Sequence, residues 1–412
     1  MEVKVEKIEQ AKKKLAKYHQ EHVWEGASSL SETEKECLAN QILTTDFSVL
    51  DTLKQKETPE NKQITPIEAL TLAEIEKNKE TYQSIGEKAI LEGKVAAVLL
   101  AGGMGTRLGS DDPKGMYNIG LTRDVFIFQR LIENLLEVVS KIGQYVDLYV
   151  MTSEKNDVAT RSFFAQKEYF GYDKDHVFFF MQETAPAVDY EGRIYMEDAT
   201  RMATSPNGNG GWYTSLVRSE AGNHFKASNA QWLNVFAVDN VLQRIADPLF
   251  IGATIANHCM VGAKVIRKNA PDEKVGVMCL ENGRPSIVEY YELTEEMRDA
   301  KNANGEPAYN FGVILNYLFC VEELDKIAGI SLPLHKVEKK IPYMDKNGVF
   351  VKPEEPNGYK FEALVLDMIQ KMESCLPYEV VREKEFAPIK NKTGKDSVES
   401  ARELCMQNGI VL

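Results

Sequence analysis

Arg107 and Lys114, two cations beside a glycine-rich turn, are the residues whose type and spacing most plainly serve chemistry in this 412-residue chain. They belong to VAAVLLAGGMGTRLGSDDPKGMYNIG, residues 95–120. There an apolar, β-branched-rich segment stops at Gly102-Gly103-Met104-Gly105-Thr106-Arg107-Leu108-Gly109. Strand, glycine turn and fixed positive charge together wrap a polyphosphate. The glycines admit backbone N–H groups close to the oxygens, and the cations neutralise charge on phosphorus. The run lacks the GxxxxGK[ST] ending of a P-loop, and it does not read GxGxxG with an acidic residue about 20 positions on.

A second chemical residue is Asp239, at the end of the apolar run LNVFAVDN (233–240). A carboxylate there is costly to bury alone. Mg²⁺ would offset that cost, since it takes hard oxygen ligands and keeps waters and phosphate oxygens besides. The alternative is a helix N-cap ahead of NVLQRIA. No Ser–His–Asp or Cys–His arrangement is evident, which directs attention to positioning and charge rather than a protein nucleophile.

The elements that must hold these residues are legible in the hydrophobic pattern. VAAVLLA (95–101), VDLYVMT (146–152), VFFFMQE (177–183) and LNVFAVDN read as buried strands. Phe128, Leu131, Ile132, Leu135, Leu136 and Val139 follow the spacing of one helix face packed on a sheet. Alternation of strand and helix predicts a doubly wound, Rossmann-like α/β sheet, in which ligands bind beyond the carboxyl ends of the strands. The loops after Ala101, Gln182 and Val238 are therefore expected to meet in one site.

Residues 1–93 read as a helical N-terminal domain, with a capping box at Ser31 and Glu34 and a polar loop over Lys54–Pro66. Residues 94–347 read as the α/β catalytic domain, with a hairpin turning at Asn282-Gly283. Residues 348–412 read as a short C-terminal α/β region. It contains a helix over KFEALVLDMIQKM and a final helix opened by Asp396 and Glu399 and closed near Gly409.

Composition bounds the partners. Lys+Arg 49 against Asp+Glu 62 leaves a net charge of −13, so the bulk field repels nucleic acid and acidic membranes. Anionic substrates would need a local basic pocket. No apolar run reaches the roughly 18 residues of a membrane span, and the charged N-terminus lacks a signal-peptide core. The six cysteines are scattered without a CxxC pair, as in a reducing compartment. These features together predict a cytoplasmic protein.

The long form GGMGTRLGSDDPKGMYNIG resembles the phosphate loop of the UDP-sugar pyrophosphorylases, and the UDP-N-acetylhexosamine pyrophosphorylase branch above all. Further blocks resemble the same family, in order along the chain: FFFMQETAPAVDYEGRI (178–194), SPNGNGGWYTSL (205–216), FAVDN (236–240), IVEYYEL (287–293), HKVEKKIPYMD (335–345), EPNGYKFEALVLD (355–367) and REKEFAPIKN (382–391). The resemblance implies a nucleotidyltransferase (GT-A-like) mixed sheet and an enzyme that makes UDP-sugar and pyrophosphate from UTP and a sugar-1-phosphate. The sugar would be N-acetylglucosamine-1-phosphate or N-acetylgalactosamine-1-phosphate. Alternatives are a glucose-1-phosphate or broad-specificity uridylyltransferase, a UDP-sugar glycosyltransferase, and a non-catalytic nucleotide-binding relative.

Carried over residue by residue, the resemblance implies that Arg107, Lys114 and Lys360 act on the phosphates. Leu100, Ala101, Gly102, Gly103, Thr106, Gln182 and Gly208 would hold the nucleotide. Asn209, Glu289 and Tyr290 would face the sugar, Lys339 and Lys340 are phosphate candidates, and Asp239 would bind Mg²⁺, or Mn²⁺ in its place. The chemistry suits the types: an amide has both a donor and an acceptor for a uracil edge, and Gly208 admits backbone close to the ring. His335 reads as structural. Two departures stand out. Val313 replaces the asparagine by which the acetylhexosamine branch contacts its sugar, and a valine can neither donate nor accept. The sequence also runs from REKEFAPIKN only to NGIVL, so the β-rich extension of longer relatives is not expected within it.

Overall fold

The structure is a computed structural model that describes residues 2–54, 62–328, 332 and 334–412. Two compact units emerge, each assembled from interleaved segments rather than from the successive stretches 1–93, 94–347 and 348–412. One gathers residues 1–60, 182–212 and 332–365; the other holds 61–181, 213–331 and 366–412.

The first unit contains helices α1 (Glu2–Lys17) and α2 (Glu32–Thr44). Ser31 caps α2, with Glu34 completing the reciprocal box expected from the sequence. Val188–Asp189, His335–Lys339 and Gly358–Glu362 make a three-stranded antiparallel sheet in the same unit. Ala11, Leu15, Leu38, Ile42 and Phe47 share a core with Val188 and the fully buried Phe361. An amphipathic helical segment with no sheet of its own thus finds its apolar partner far along the chain.

The second unit is built on a ten-stranded mixed sheet. Its strands are β1 (Ile64–Pro66), β2 (Val95–Leu100), β3 (Leu148–Thr152), β4 (Val177–Met181), β5 (Trp232–Ala237), β6 (Val261–Arg267), β7 (Val277–Glu281), β8 (Arg284–Val288), β9 (Phe311–Cys320) and β10 (Cys375–Glu379). The main path runs β1-β7-β9-β5-β2-β3-β4. β5, β2, β3 and β4 are parallel, whereas β9 runs antiparallel to β5. All four predicted apolar strands form, and every residue of β2 and β3 is buried.

The helices of this unit are α3 (Lys79–Leu91), α4 (Ile127–Ile142), α5 (Asp157–Gln166), α6 (Pro248–Ala256) and α7 (Val398–Gln407). α4 buries Phe128, Leu131, Ile132, Leu135 and Val139 in the core it shares with β2 and β3. The β7–β8 hairpin turns at Asn282 and Gly283 with φ of 52° and 81°, the positive values of the tight turn that matches strand twist.

Three local expectations change. Of the polar loop 54–66, residues 55–61 lie outside the described residues, and Ile64–Pro66 forms β1 along β7. The stretch KFEALVLDMIQKM divides: Gly358–Glu362 is a strand and only Val365–Lys371 is helical. Phe361, buried in the first unit's core, explains the strand, because a helix would scatter the alternation that sends Phe361 inward. The final helix is capped by Ser397 with Ser400, not by Asp396, which sits at φ 51° with its carbonyl accepting the Lys390 N–H.

Candidate active site

In the second unit the chain runs outward from β2 to β3 and β4, then returns to lay β5 on the other side of β2. The order reverses between β2 and β5, and in such sheets the crevice at that reversal takes the ligand. The glycine turn leaves β2 at this point, and Asp239 follows β5 two residues after its end.

Leu100 and Ala101 are buried, Gly102 is half-buried, and Gly103, Thr106 and Arg107 are exposed. The turn is closed by Gly105 N–H donating to the Asp112 carbonyl at 2.8 Å and Lys114 N–H donating to the Gly103 carbonyl at 3.1 Å. Behind Lys114, a Cβ on Gly115 would fall 2.3 Å from the Phe128 ring, so only glycine lets this turn seat on α4. Arg107 makes no ion pair among the described residues.

The Lys114 side chain is 17% exposed, and its Nζ stands 3.8 Å from Asp239 Oδ2. Burial lowers the Lys114 pKa; Asp239 opposes the shift, while Lys390 and Arg107 add to it. Four charged side chains, three of them cationic, therefore share one neighbourhood in a chain of net charge −13. The helix-cap alternative for Asp239 fails. Residues 241–246 are not helical, and the next helix, α6, is capped by Asp247.

Lys390 is the cation that sequence reasoning did not single out. A strap of main chain carries it in: Ile389 N–H donates to the Asp239 carbonyl at 2.9 Å. Ala387 N–H donates to Asn240 Oδ1, and Asn240 Nδ2 donates to the Glu385 carbonyl. The local sequence is a charged run, REKEFAPIKN, in which nothing marks Lys390 apart from its neighbours.

Beneath the strap lies a buried ionic cluster. Lys264, fully buried, pairs with Glu385 Oε2 at 2.6 Å and Asp247 Oδ2 at 3.1 Å. Burial opposes the charge on Asp247, but Lys264 and Arg244 prevail and hold it below the usual carboxylate range. Burial and the nearby Asp247 push Glu385 the other way, against the pull of Lys264. Two acids on one buried ammonium thus fix the start of the strap that ends in Lys390.

Glu289 and Tyr290 follow β8 directly. Glu289 N–H donates to Glu292 Oε2 at 3.0 Å, and Tyr290 is exposed with its ring edge-on to Tyr291. A Cβ on Gly276 would sit 3.6 Å from both Glu289 Oε1 and Val313 Cγ2, so the carboxylate and the departing valine flank one spot. The nearby asparagines are committed elsewhere: Asn310 accepts the Lys268 N–H, and Asn316 bonds Asn234 and the Arg244 carbonyl.

The remaining sequence candidates lie in the first unit. Gln182 is buried and donates from Nε2 to the Gly208 carbonyl. Gly208 has φ 90°, and a Cβ there would stand 2.1 Å from the Ala363 carbonyl, which requires glycine twice over. Asn209 Oδ1 accepts the Val365 N–H at 3.0 Å. Gln182, Gly208 and Asn209 are thus one constellation. Lys339 pairs opposite Gly358 and Val337 opposite Lys360, which places Lys339 and Lys360 on one sheet face. Lys340 lies past the strand, exposed, with Nζ on the Glu354 carbonyl.

A mixed sheet with a glycine turn and clustered cations at its reversal point defines a nucleotidyltransferase-type fold, and comparison with known proteins agrees. The family model described as UTP–glucose-1-phosphate uridylyltransferase matches residues 40–406, and the chain belongs to that family. It is 38% identical over 334 residues to UDP-N-acetylhexosamine pyrophosphorylase-like protein 1 of Xenopus tropicalis, covering 78% of this chain and 65% of the relative. It is 36% identical to UDP-N-acetylglucosamine pyrophosphorylase of Saccharomyces cerevisiae, over 79% of this chain and 71% of the relative. The solved uridine diphosphate N-acetylglucosamine pyrophosphorylase of Trypanosoma brucei, in complex with an inhibitor, superposes with TM-score 0.85 at 27% identity. That match covers 97% of this chain and 84% of the other. The chain spans 64–66% of the length of the first curated relatives it matches. No helix among the described residues is long and apolar enough to cross a membrane.

Proposed function

We propose that this chain transfers the uridylyl group of UTP to an N-acetylhexosamine-1-phosphate, N-acetylglucosamine-1-phosphate foremost, releasing pyrophosphate. The placement of Lys114 3.8 Å from Asp239 at the turn after β2, with Arg107 in the same turn and the strap before Lys390 tied to the Asp239 carbonyl, carries this reading. The names of the relatives at 36–38% identity support the choice of sugar. An oxygen of the sugar phosphate attacks the α-phosphorus of UTP in line. The bond from that phosphorus to the bridging oxygen breaks, and pyrophosphate departs with the electron pair. The attacking phosphate is already ionised at neutral pH, so no protein base or nucleophile is needed. Lys114, Arg107 and Lys390 hold and neutralise the phosphates, so catalysis is positioning with charge stabilisation.

Asp239 suits Mg²⁺: a carboxylate just past a strand end, facing the cationic turn, supplies one hard oxygen to an ion that phosphate oxygens and water would complete. Bound there, Mg²⁺ would neutralise charge on the triphosphate. Gln182, with Gly208, is assigned to the uracil, and Asn209, Glu289 and Tyr290 to the sugar. Lys339, Lys340 and Lys360 remain phosphate candidates. One observation favours a second sugar, glucose-1-phosphate: Val313, which with Glu289 flanks the spot at Gly276, carries no hydrogen-bonding group in place of the asparagine that the resemblance implies.

The test is pyrophosphate release from UTP and Mg²⁺ with N-acetylglucosamine-, N-acetylgalactosamine- and glucose-1-phosphate. Release with an acetylated sugar foremost is expected. Release with glucose-1-phosphate alone would move the assignment to the second sugar, and no release with any would remove the activity.

A further inference from the structure

Three successive carbonyls of the turn after β2 are held by one short segment after β3. Asn156, fully buried, donates from Nδ2 to the Ala101 carbonyl at 2.8 Å and to the Gly103 carbonyl at 3.3 Å. Ser153 Oγ donates to the Gly102 carbonyl between them at 2.9 Å. Asn156 Oδ1 accepts the Ser153 N–H at 2.7 Å, which fixes the amide with its nitrogen toward the turn. The two segments are adjacent because β2 and β3 are parallel neighbours and end together, with Ala101 N–H on the Met151 carbonyl.

Asn156 also stands at the N-cap of α5, where an asparagine side chain ordinarily accepts a helix N–H. It makes no such bond. The side chain is spent on the turn instead of on its own helix.

In a trans peptide the carbonyl of one residue and the N–H of the next point in opposite directions. Fixing the carbonyls of 101, 102 and 103 toward the Ser153–Asn156 segment therefore aims the N–H groups of Gly102, Gly103 and Met104 away from it. None of those three N–H groups has an acceptor among the described residues. Successive N–H groups turned to one side form an anion-binding concavity. We infer that Asn156, seconded by Ser153, is a positioning residue that presents this row of amides to the nucleotide's phosphates; the inference rests on the proposed reading of the turn as the UTP site.

The test is steady-state kinetics of the full chain, together with calorimetric UTP binding and thermal unfolding, for wild type, Asn156→Ala and Ser153→Ala. Asn156→Ala is expected to raise the KM and Kd for UTP roughly tenfold, the scale of one or two lost hydrogen bonds, with the sugar-phosphate KM changing less than about twofold. Ser153→Ala, which removes one of the three ties, is expected to raise the KM for UTP about threefold, and it decides the matter if Asn156→Ala does not fold. A folded variant with unchanged UTP KM and Kd overturns the inference, as does a fall in kcat at constant KM that tracks lost folded protein. Wild-type protein that neither binds UTP nor turns it over removes the reading of the site, and the inference with it; wild-type turnover with unaffected variants removes the inference alone.

Discussion

The turn after β2 and the segment after β8 serve opposite ends of the proposed reaction and are built differently. Around the turn, Asn156 and Ser153 hold the main chain, Gly115 is pressed against Phe128, and Lys114 is largely buried beside Asp239. After β8, Tyr290 and Tyr291 are exposed, Glu289 is half-buried, and a Val313 methyl group and the Glu289 carboxylate flank the same spot at Gly276. On the proposed reading, the chemistry common to every sugar-1-phosphate falls to the turn's charges, and preorganised groups avoid reorganisation as a reaction proceeds. The segment proposed to choose the sugar is exposed, and one side chain would alter it.

Breaking the rigid side should cost the most. Lys264→Met leaves Asp247 and Glu385 buried without their ammonium, and a loss of about 3–5 kcal/mol in urea unfolding is expected. Unchanged stability would mean the cluster does not anchor the strap. Lys114→Ala should lower kcat by roughly 10²–10³, the scale of one transition-state charge contact. Turnover near wild type would separate Lys114 from the chemistry.

The open side should respond more gently. Val313→Asn is expected to shift the ratio of kcat/KM toward N-acetylglucosamine-1-phosphate over glucose-1-phosphate by about 1–3 kcal/mol, through one regained hydrogen bond. A ratio that stays put would take Val313 out of sugar selection. The smallest effect is a proton. Burial lowers the Lys114 pKa from 10.5 in the free protein, and bound phosphates should raise it again. UTP binding should therefore take up protons once the pH rises through the lowered value, and none well below it. Calorimetry in buffers of different ionisation heat reads this directly, and alkaline binding without uptake would contradict it.

The strand, glycine turn and two cations proposed to hold phosphate were legible in the sequence because all three are local signals. The apolar face of α4 and the Asn282-Gly283 turn were legible for the same reason. Lys390 was not, because tertiary hydrogen bonds from Asn240 and to the Asp239 carbonyl bring it in from about 150 residues away. Asn156 was hidden differently: at the head of a helix an asparagine reads as a cap, and only the structure shows its amide turned to the glycine turn. The strand at Gly358–Glu362 was masked by an apolar run that fits either period, a choice made by the core around Phe361.

The most direct test is a crystal structure with UTP and Mg²⁺ bound. The triphosphate is expected against the amides of residues 102–104, within reach of Arg107, Lys114 and Lys390. A nucleotide bound with its phosphates anywhere else on the chain would contradict the account.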